Sequence, residues 1–265
     1  MSNTSLFNLA NPSGAGDKKQ VGNLQGASLA LAIAELANQH SSHTLLAVAD
    51  PQTALKLLQE IEQFTKQEVS LFPDWETLPY DNFSPHQEII SDRIARLYQL
   101  PTQNSGITIV PINTLLQRQS PRDFLMQHTL MVKVGDLYSL EKLRIQLEKS
   151  GYRHVDQVFG PGEYASRGSI LDLFPMGASD PFRIDFFDDE IDTIRTFDPE
   201  NQRSIDDVQE IRLLPAHEFP TSESAIEDFR IRWRQRFEAR REPESVYMQV
   251  SKGTWPAGIE YYMPL

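Results

Sequence analysis

The 265-residue sequence contains no cysteine. Disulfides, thiolate nucleophiles, iron–sulfur clusters and cysteine-based zinc sites are therefore excluded. No stretch approaches the roughly 18 consecutive apolar residues that a membrane-spanning helix needs. The start, Met1 to Ser5, has no basic residues followed by an apolar stretch, so it predicts no secretory signal. Together these absences are typical of a cytoplasmic protein.

Sequence signatures of catalysis are also missing. The segment 22–28 precedes the first predicted helix, where a parallel α/β domain often carries a phosphate-binding loop. It lacks the Gly-Lys-Ser/Thr signature, and Lys18 and Lys19 come too early, so an ordinary loop is the favoured interpretation. The histidines show no His-x-x-x-His spacing. The adjacent acids Asp188 and Asp189 fit a turn better than a cleft. We predict no catalytic, metal or cofactor site.

Acidic residues outnumber basic ones by 37 to 25, which gives a formal net charge of −12. This charge argues against broad, unspecific binding to nucleic acid. A predicted helix over 222–241 nevertheless aligns Arg232, Arg236 and Arg240 in one row. The row is either a solvated face, whose positive charge is offset by neighbouring acids, or a contact for DNA phosphates or an acidic partner.

Short apolar runs and helical patterns alternate in the first half of the chain. A buried strand is predicted at 44–49 and further strands at 68–72 and 107–110, with helices between them from Pro51 and around 87–97. An earlier helix is predicted because Leu29, Ile33 and Leu36 recur at helical spacing. Asp50 followed by Pro51 is typical of a helix start. This order predicts a parallel sheet covered by helices.

After about residue 128 the period of the pattern changes to two. Apolar and polar residues alternate through 170–174 and 182–187, and the acidic trio 188–190 predicts a turn into a partner strand. The predicted fold class is therefore α/β, a parallel-sheet domain followed by an α+β domain with an antiparallel sheet. We predict a flexible tail at 1–20, an α/β domain at 21–128, an α+β domain at 129–212 and a further region at 213–265. The last region looks unfinished, so a fragment of a longer protein is expected.

The strand over 182–187 carries the most informative pattern. If Phe182, Ile184 and Phe186 pack inward, Arg183 and Phe187 share the opposite face. An arginine beside an exposed aromatic is typical of an interaction hot spot, and replacing either residue is then expected to leave the fold intact. The alternative is that Arg183 pairs with Asp185 or a cross-strand acid and that Phe187 covers a second core. Periodicity alone leaves both open.

Six motifs together are highly specific, and they lie at 71–86, 162–168, 173–177, 185–192, 214–220 and 251–254. With these motifs the chain resembles, from about Gln25 to Leu265, the N-terminal region of the bacterial transcription-repair coupling factor family. That region is in turn similar to UvrB, the damage-verifying subunit of the bacterial nucleotide-excision nuclease.

The resemblance implies a degenerate helicase-like parallel-sheet domain with an inserted α+β domain that binds UvrA, the damage-recognition ATPase. Arg167, Arg183 and Phe187 match the family's UvrA-contact pattern. The missing phosphate loop implies that the fragment hydrolyses no ATP and needs no cofactor. Asp81 to Phe83 run almost directly into the helix at Gln87, which leaves no room for UvrB's DNA-clamping hairpin.

The resemblance therefore predicts a non-enzymatic recruitment module that mimics UvrB and brings excision repair to stalled RNA polymerase. In the full-length family protein, ATP and magnesium drive a DNA translocase, and other segments contact RNA polymerase and DNA. The alternative is the ATP- or DNA-binding half of a nucleic-acid motor.

Overall fold

The computed structural model describes residues 6–7, 9, 11–39, 42–79, 81–239 and 242–262. Features predicted at Met1–Ser5, His40, Tyr80, Arg240, Arg241 and 263–265 lie outside the described residues. The helices are α1 (Ala27–Asn38), α2 (Pro51–Glu62), α3 (Gln87–Gln99), α4 (Ile112–Leu115), α5 (Arg122–Gln127), α6 (Leu140–Lys149), α7 (Glu223–Arg236) and α8 (Val246–Ser251). The strands are β1 (Thr44–Val48), β2 (Val69–Leu71), β3 (Ile107–Pro111), β4 (Leu130–Lys133), β5 (Arg153–His154), β6 (Glu163–Arg167), β7 (Ile170–Leu173), β8 (Phe182–Phe187), β9 (Glu190–Phe197), β10 (Ser204–Val208) and β11 (Glu210–Leu213).

Packing divides the chain into two units. The first comprises 1–74 and 99–117, and the second comprises 75–98 and 118–265. These divisions fall at other positions than the predicted domain boundaries at 128 and 212, which stay a prediction.

The first unit contains the predicted parallel sheet, in the order β1-β3-β2. The central strand β3 is buried along its whole length. At the edge, β1 is only half-buried, and Leu45 is exposed. The prediction of a buried strand there was wrong because an apolar run at a sheet edge has a neighbour on one side only.

Helices α1 and α2 pack against this sheet. The N-cap of α2 is as predicted, because the Thr53 N–H donates to the Asp50 carboxylate at 2.8 Å. The predicted helix is present as α1, whose fully buried residues are alanines. Ile33 is partly buried against the same core, and Leu29 is exposed.

The second unit contains a six-stranded sheet in the order β10-β9-β8-β7-β6-β5. Its pairings are antiparallel except for β5 with β6, and β4 pairs separately with β11. The chain is thus a mixed α/β structure with a parallel sheet and antiparallel sheets. At this level of description it agrees with the predicted fold class.

One side of the six-stranded sheet, here called the inner face, packs against α3, α5 and α6. Its core includes Tyr164, Leu171, Leu173, Ile184, Phe186, Ile90, Ile94, Leu143 and Leu147. Beside this core, the fully buried Arg93 of α3 pairs with the equally buried Glu218, at 3.0 Å between Nε and Oε1. The indole N–H of Trp75 donates to the same carboxylate at 2.7 Å. Such a buried pair is tolerated because its polar groups have partners.

Candidate partner-binding face

The other side of the six-stranded sheet, here called the outer face, carries the predicted site residues. Strand alternation in β8 is as predicted: Ile184 and Phe186 are buried on the inner face, and Phe187 is 73% exposed. The register places Ala165, Asp172, Arg183 and Arg195 opposite one another across β6, β7, β8 and β9. Arg167 closes the β6–β7 hairpin on the same face.

Arg183 is held by its own sheet. Its Nε and Nη2 donate to the two carboxylate oxygens of Asp172 at 2.7 and 2.8 Å, and Nη1 donates to the Gln202 carbonyl at 3.2 Å. The guanidinium also lies 5.0 Å from the centre of the Phe197 ring. The hydrogen bonds that Arg183 donates to Asp172 raise the pKa of the Arg183 guanidinium above its usual range. The cross-strand pairing that the sequence left open is therefore present.

Because Asp172 is itself largely buried, we revise the expectation that Arg183 can be replaced without cost to the fold. Substitution would leave that carboxylate without its main partner.

Phe187 stands at the end of β8, where a two-residue turn leads into β9. Asp188 adopts a left-handed backbone with φ 53°, which aspartate tolerates better than most residues. A second cluster does exist on the outer face, formed by Val158, Ala165, Phe174 and Phe197, but Phe187 is not part of it. The alternative role of Phe187, covering a second core, is therefore not seen.

Arg167 lies at the same end of the sheet as Phe187, because the β6–β7 and β8–β9 turns both close there. The Phe186 N–H donates to the Ser169 carbonyl at 2.9 Å and joins the two turns. Arg167 is exposed and donates one hydrogen bond, from Nη2 to the Asp156 carbonyl at 2.6 Å. Since a guanidinium has five N–H donors, most of its donors remain available to a ligand.

The three predicted residues therefore share a face but not an environment. Arg167 and Phe187 are exposed at the end of the sheet where the β6–β7 and β8–β9 turns close, here called the hairpin end. Arg183 is hydrogen-bonded within the sheet, nearer its middle. Arg195, which the family pattern does not single out, pairs with Asp185. Sequence reasoning missed Asp172 as the anchor of Arg183; a cross-strand acid was considered, but the register needed to identify it is not readable from one strand.

The other candidate regions offer less. In the segment 22–28, the Ser28 hydroxyl donates to the Gln25 carbonyl at 2.7 Å, and nearby Lys19 pairs with Asp17 at 3.4 Å. Within the described ranges, no group of three or more histidine, aspartate or glutamate side chains could hold a metal ion. Nor does any helix in that part of the chain combine the length and apolarity needed to cross a membrane.

The arginine row on α7 is shorter than predicted. The helix ends at Arg236, so of the predicted row only Arg232 and Arg236 are seen on it, both exposed. A neighbouring arginine, Arg234, is used internally, since its Nε donates to the Tyr247 hydroxyl at 2.8 Å.

The outer face belongs to a segment that matches a known family model. Residues 130–219 match the UvrB interaction domain. The matched segment contains β4 to β11 and all three predicted contact residues.

Outside this domain the resemblance extends over almost the whole chain. The chain is 56% identical over 254 residues, 96% of its length, to the transcription-repair-coupling factor of Escherichia coli (strain K12). It is 50% identical over 263 residues, 99% of its length, to that of Haemophilus influenzae. A homologue from Staphylococcus aureus (strain USA300) is 32% identical over 73% of the chain. The predicted resemblance to transcription-repair coupling factors is confirmed. The chain spans only 22%, 23% and 17% of the lengths of these relatives.

Proposed function

We propose that the chain is a recruitment module that binds UvrA through the outer face of its UvrB interaction domain. In this role it mimics UvrB and brings nucleotide-excision repair to stalled RNA polymerase. The observation that carries the proposal is that the matched segment exposes an arginine and a phenylalanine at the same end of the sheet. Arginine and aromatic side chains dominate the energetics of many protein interfaces.

The two exposed residues, Arg167 and Phe187, have different roles in the proposed recognition. Arg167 offers guanidinium donors to a carboxylate of the partner, and a paired fork of such donors gives both strength and orientation. Phe187 supplies apolar area that excludes water from that pair. Both stand on β-hairpins whose backbone is fixed by hydrogen bonds, so no backbone segment has to be ordered on binding.

Arg183 contributes in a different way. Asp172 occupies the side of the guanidinium formed by Nε and Nη2, which leaves a second hydrogen on Nη2 and a second on Nη1. These two hydrogens are the donors that Arg183 offers to a second carboxylate in the proposed complex. Asp172 therefore positions Arg183 rather than competing with the partner for it.

The direct test is calorimetric binding to purified UvrA. We expect Arg167→Ala and Phe187→Ala each to weaken binding about 30-fold, the scale of a 2 kcal/mol hot spot. Matched controls are Arg153→Ala and Phe159→Ala, since both side chains are exposed in the same unit but away from the hairpin end. Failure of wild-type chain to bind UvrA would overturn the function. Equal losses in the test and control variants would overturn the site.

We further propose that the first unit is a degenerate helicase-like domain without ATPase activity. The parallel order β1-β3-β2 with flanking helices supports such a domain, and the segment 22–28 brings no lysine to a phosphate. ATP and magnesium, RNA polymerase and DNA would be engaged by other parts of the full-length protein. Saturable, magnesium-dependent ATP binding at micromolar concentration would instead favour the motor-half alternative.

A further inference from the structure

A loop extends the six-stranded sheet at the end where Phe187 lies. The Tyr138 N–H donates to the Asp189 carbonyl at 2.7 Å, and the Ile191 N–H donates to the Asp136 carbonyl at 3.0 Å. These bonds flank an antiparallel pairing of Leu137 with Glu190. The loop before α6 therefore behaves as a short extra strand along the first residues of β9.

This pairing puts three side chains in one row. Glu190 pairs with Phe187 on one side and with Leu137 on the other, and paired residues in a sheet project from the same face. The flanking residues, not Leu137 and Glu190 themselves, make the hydrogen bonds, so this is the closer kind of antiparallel pair. Phe187, Glu190 and Leu137 thus form a continuous strip on the outer face.

The strip is apolar at both ends and acidic in the middle. Leu137 is 82% exposed and Phe187 is 73% exposed. Neither side chain packs into a core cluster among the described residues. The hydrogen bonds of Asp136 and Tyr138 nevertheless fix the backbone on both sides of Leu137. A fixed backbone leaves only side-chain entropy to be lost when a partner covers the leucine.

We propose that the UvrA-docking surface continues across β9 to Leu137, which acts as a second apolar anchor with Glu190 between the two. This inference rests on the proposed function. The partner surface would then be apolar, with a carboxylate opposite Arg167 and a basic side chain opposite Glu190. Both Leu137 and Glu190 lie inside the matched domain, although the motifs quoted for the family resemblance include only Glu190.

The test is calorimetric titration of Leu137→Ala and Glu190→Lys with purified UvrA, beside Phe187→Ala. We expect Leu137→Ala to weaken binding about tenfold, with an unchanged melting temperature, since an exposed side chain is removed. Glu190→Lys should weaken binding more at low salt than at high salt, because it replaces an attraction by a repulsion. The matched control is Leu116→Ala, which removes a 79% exposed leucine from the other unit and should bind like wild type.

The outcomes separate this inference from the proposed function. If wild type binds UvrA and Phe187→Ala weakens it while Leu137→Ala does not, the extension is overturned and the function stands. If wild type does not bind UvrA, the function itself fails. Sedimentation of wild type alone supplies a further check: a dimer that Leu137→Ala dissociates would assign Leu137 to a second copy of the chain and overturn the extension.

Discussion

The arginines on the two sides of the six-stranded sheet differ in how many partners they have within the protein. In the core beside the inner face, Arg93 is completely buried, and its guanidinium meets Glu218, the Gln119 side chain at 2.8 Å and the Trp75 ring at 4.8 Å. On the outer face, Arg183 is tied to one carboxylate and one carbonyl, and Arg167 to one carbonyl only. The number of internal partners falls steadily from the core to the hairpin end.

This gradient distinguishes a structural arginine from one available for binding. A buried charge is stable only when its donors are occupied, so Arg93 has nothing left to offer a ligand. An exposed guanidinium is hydrated, so it can exchange water for a partner's carboxylate at little cost. Availability, rather than residue type, is therefore what favours the hairpin end as the proposed docking region.

The largest effect is expected from Arg93→Met. The substitution leaves the buried Glu218 carboxylate without its cation, and breaking a buried pair in this way costs about 3–5 kcal/mol. Urea unfolding followed by circular dichroism measures the loss. The double variant Arg93→Met/Glu218→Leu should recover part of the stability, because it removes the stranded charge. If Arg93→Met costs no more than Arg183→Met, the contrast between the two sides is wrong.

A pH titration of stability probes the same core through His217. Burial lowers the pKa of this imidazole from 6.5 to about 4, and the ring stacks on Phe219 with 5.0 Å between ring centres. Between pH 6.5 and 4 the unfolded chain binds more protons than the folded one, so stability falls as the pH falls through this window. The loss should be about 2 kcal/mol between pH 7 and pH 5.

The control for this titration is His217→Gln, which cannot take up the proton. Its stability should change less between pH 7 and pH 5 than that of wild type, whatever its absolute value. If the free energy of unfolding changes with pH equally in the two proteins, His217 is protonated equally in the folded and unfolded states.

A smaller effect is expected on the outer face from Arg183→Met. Asp172 loses its bidentate partner but keeps limited access to water, so we expect a loss of about 1–2 kcal/mol. The paired variant Asp172→Asn tests the positioning role: it should cost less stability but still weaken UvrA binding, because the guanidinium loses its fixed orientation. Unchanged affinity of Asp172→Asn would remove Asp172 from the docking mechanism.

Much of the architecture could be predicted because it depends on local patterns. Alternation placed Ile184 and Phe186 inward, and the Asp50 cap fixed the start of α2. The turn at Asp188 was visible as a break between two alternating runs. Tertiary context decided what the patterns did not give: the alanine face of α1 was not predicted, and the burial predicted for β1 was wrong at the sheet edge.

The candidate site was less accessible to the same reasoning. The face shared by Arg183 and Phe187 follows from strand periodicity, but the pairing of Arg183 with Asp172 depends on the register between β7 and β8. Leu137 stands in a loop with no period of its own, and only its pairing with Glu190 places it on the outer face. Cross-strand neighbours are long-range facts, which a single sequence encodes only through the whole fold.

The smallest effect on stability is expected at the hairpin end. Arg167→Ala and Phe187→Ala remove exposed side chains without stranding a buried charge or opening a cavity, so each should change the free energy of unfolding by less than about 0.5 kcal/mol. Thermal melts and urea unfolding measure this directly. Comparison with Arg183→Met sharpens the contrast: all three variants should weaken UvrA binding, but only Arg183→Met should also destabilise the chain. A stability loss of 1 kcal/mol or more for Phe187→Ala would mean that this ring supports the sheet, and the docking region would then have to be sought away from the β8–β9 turn.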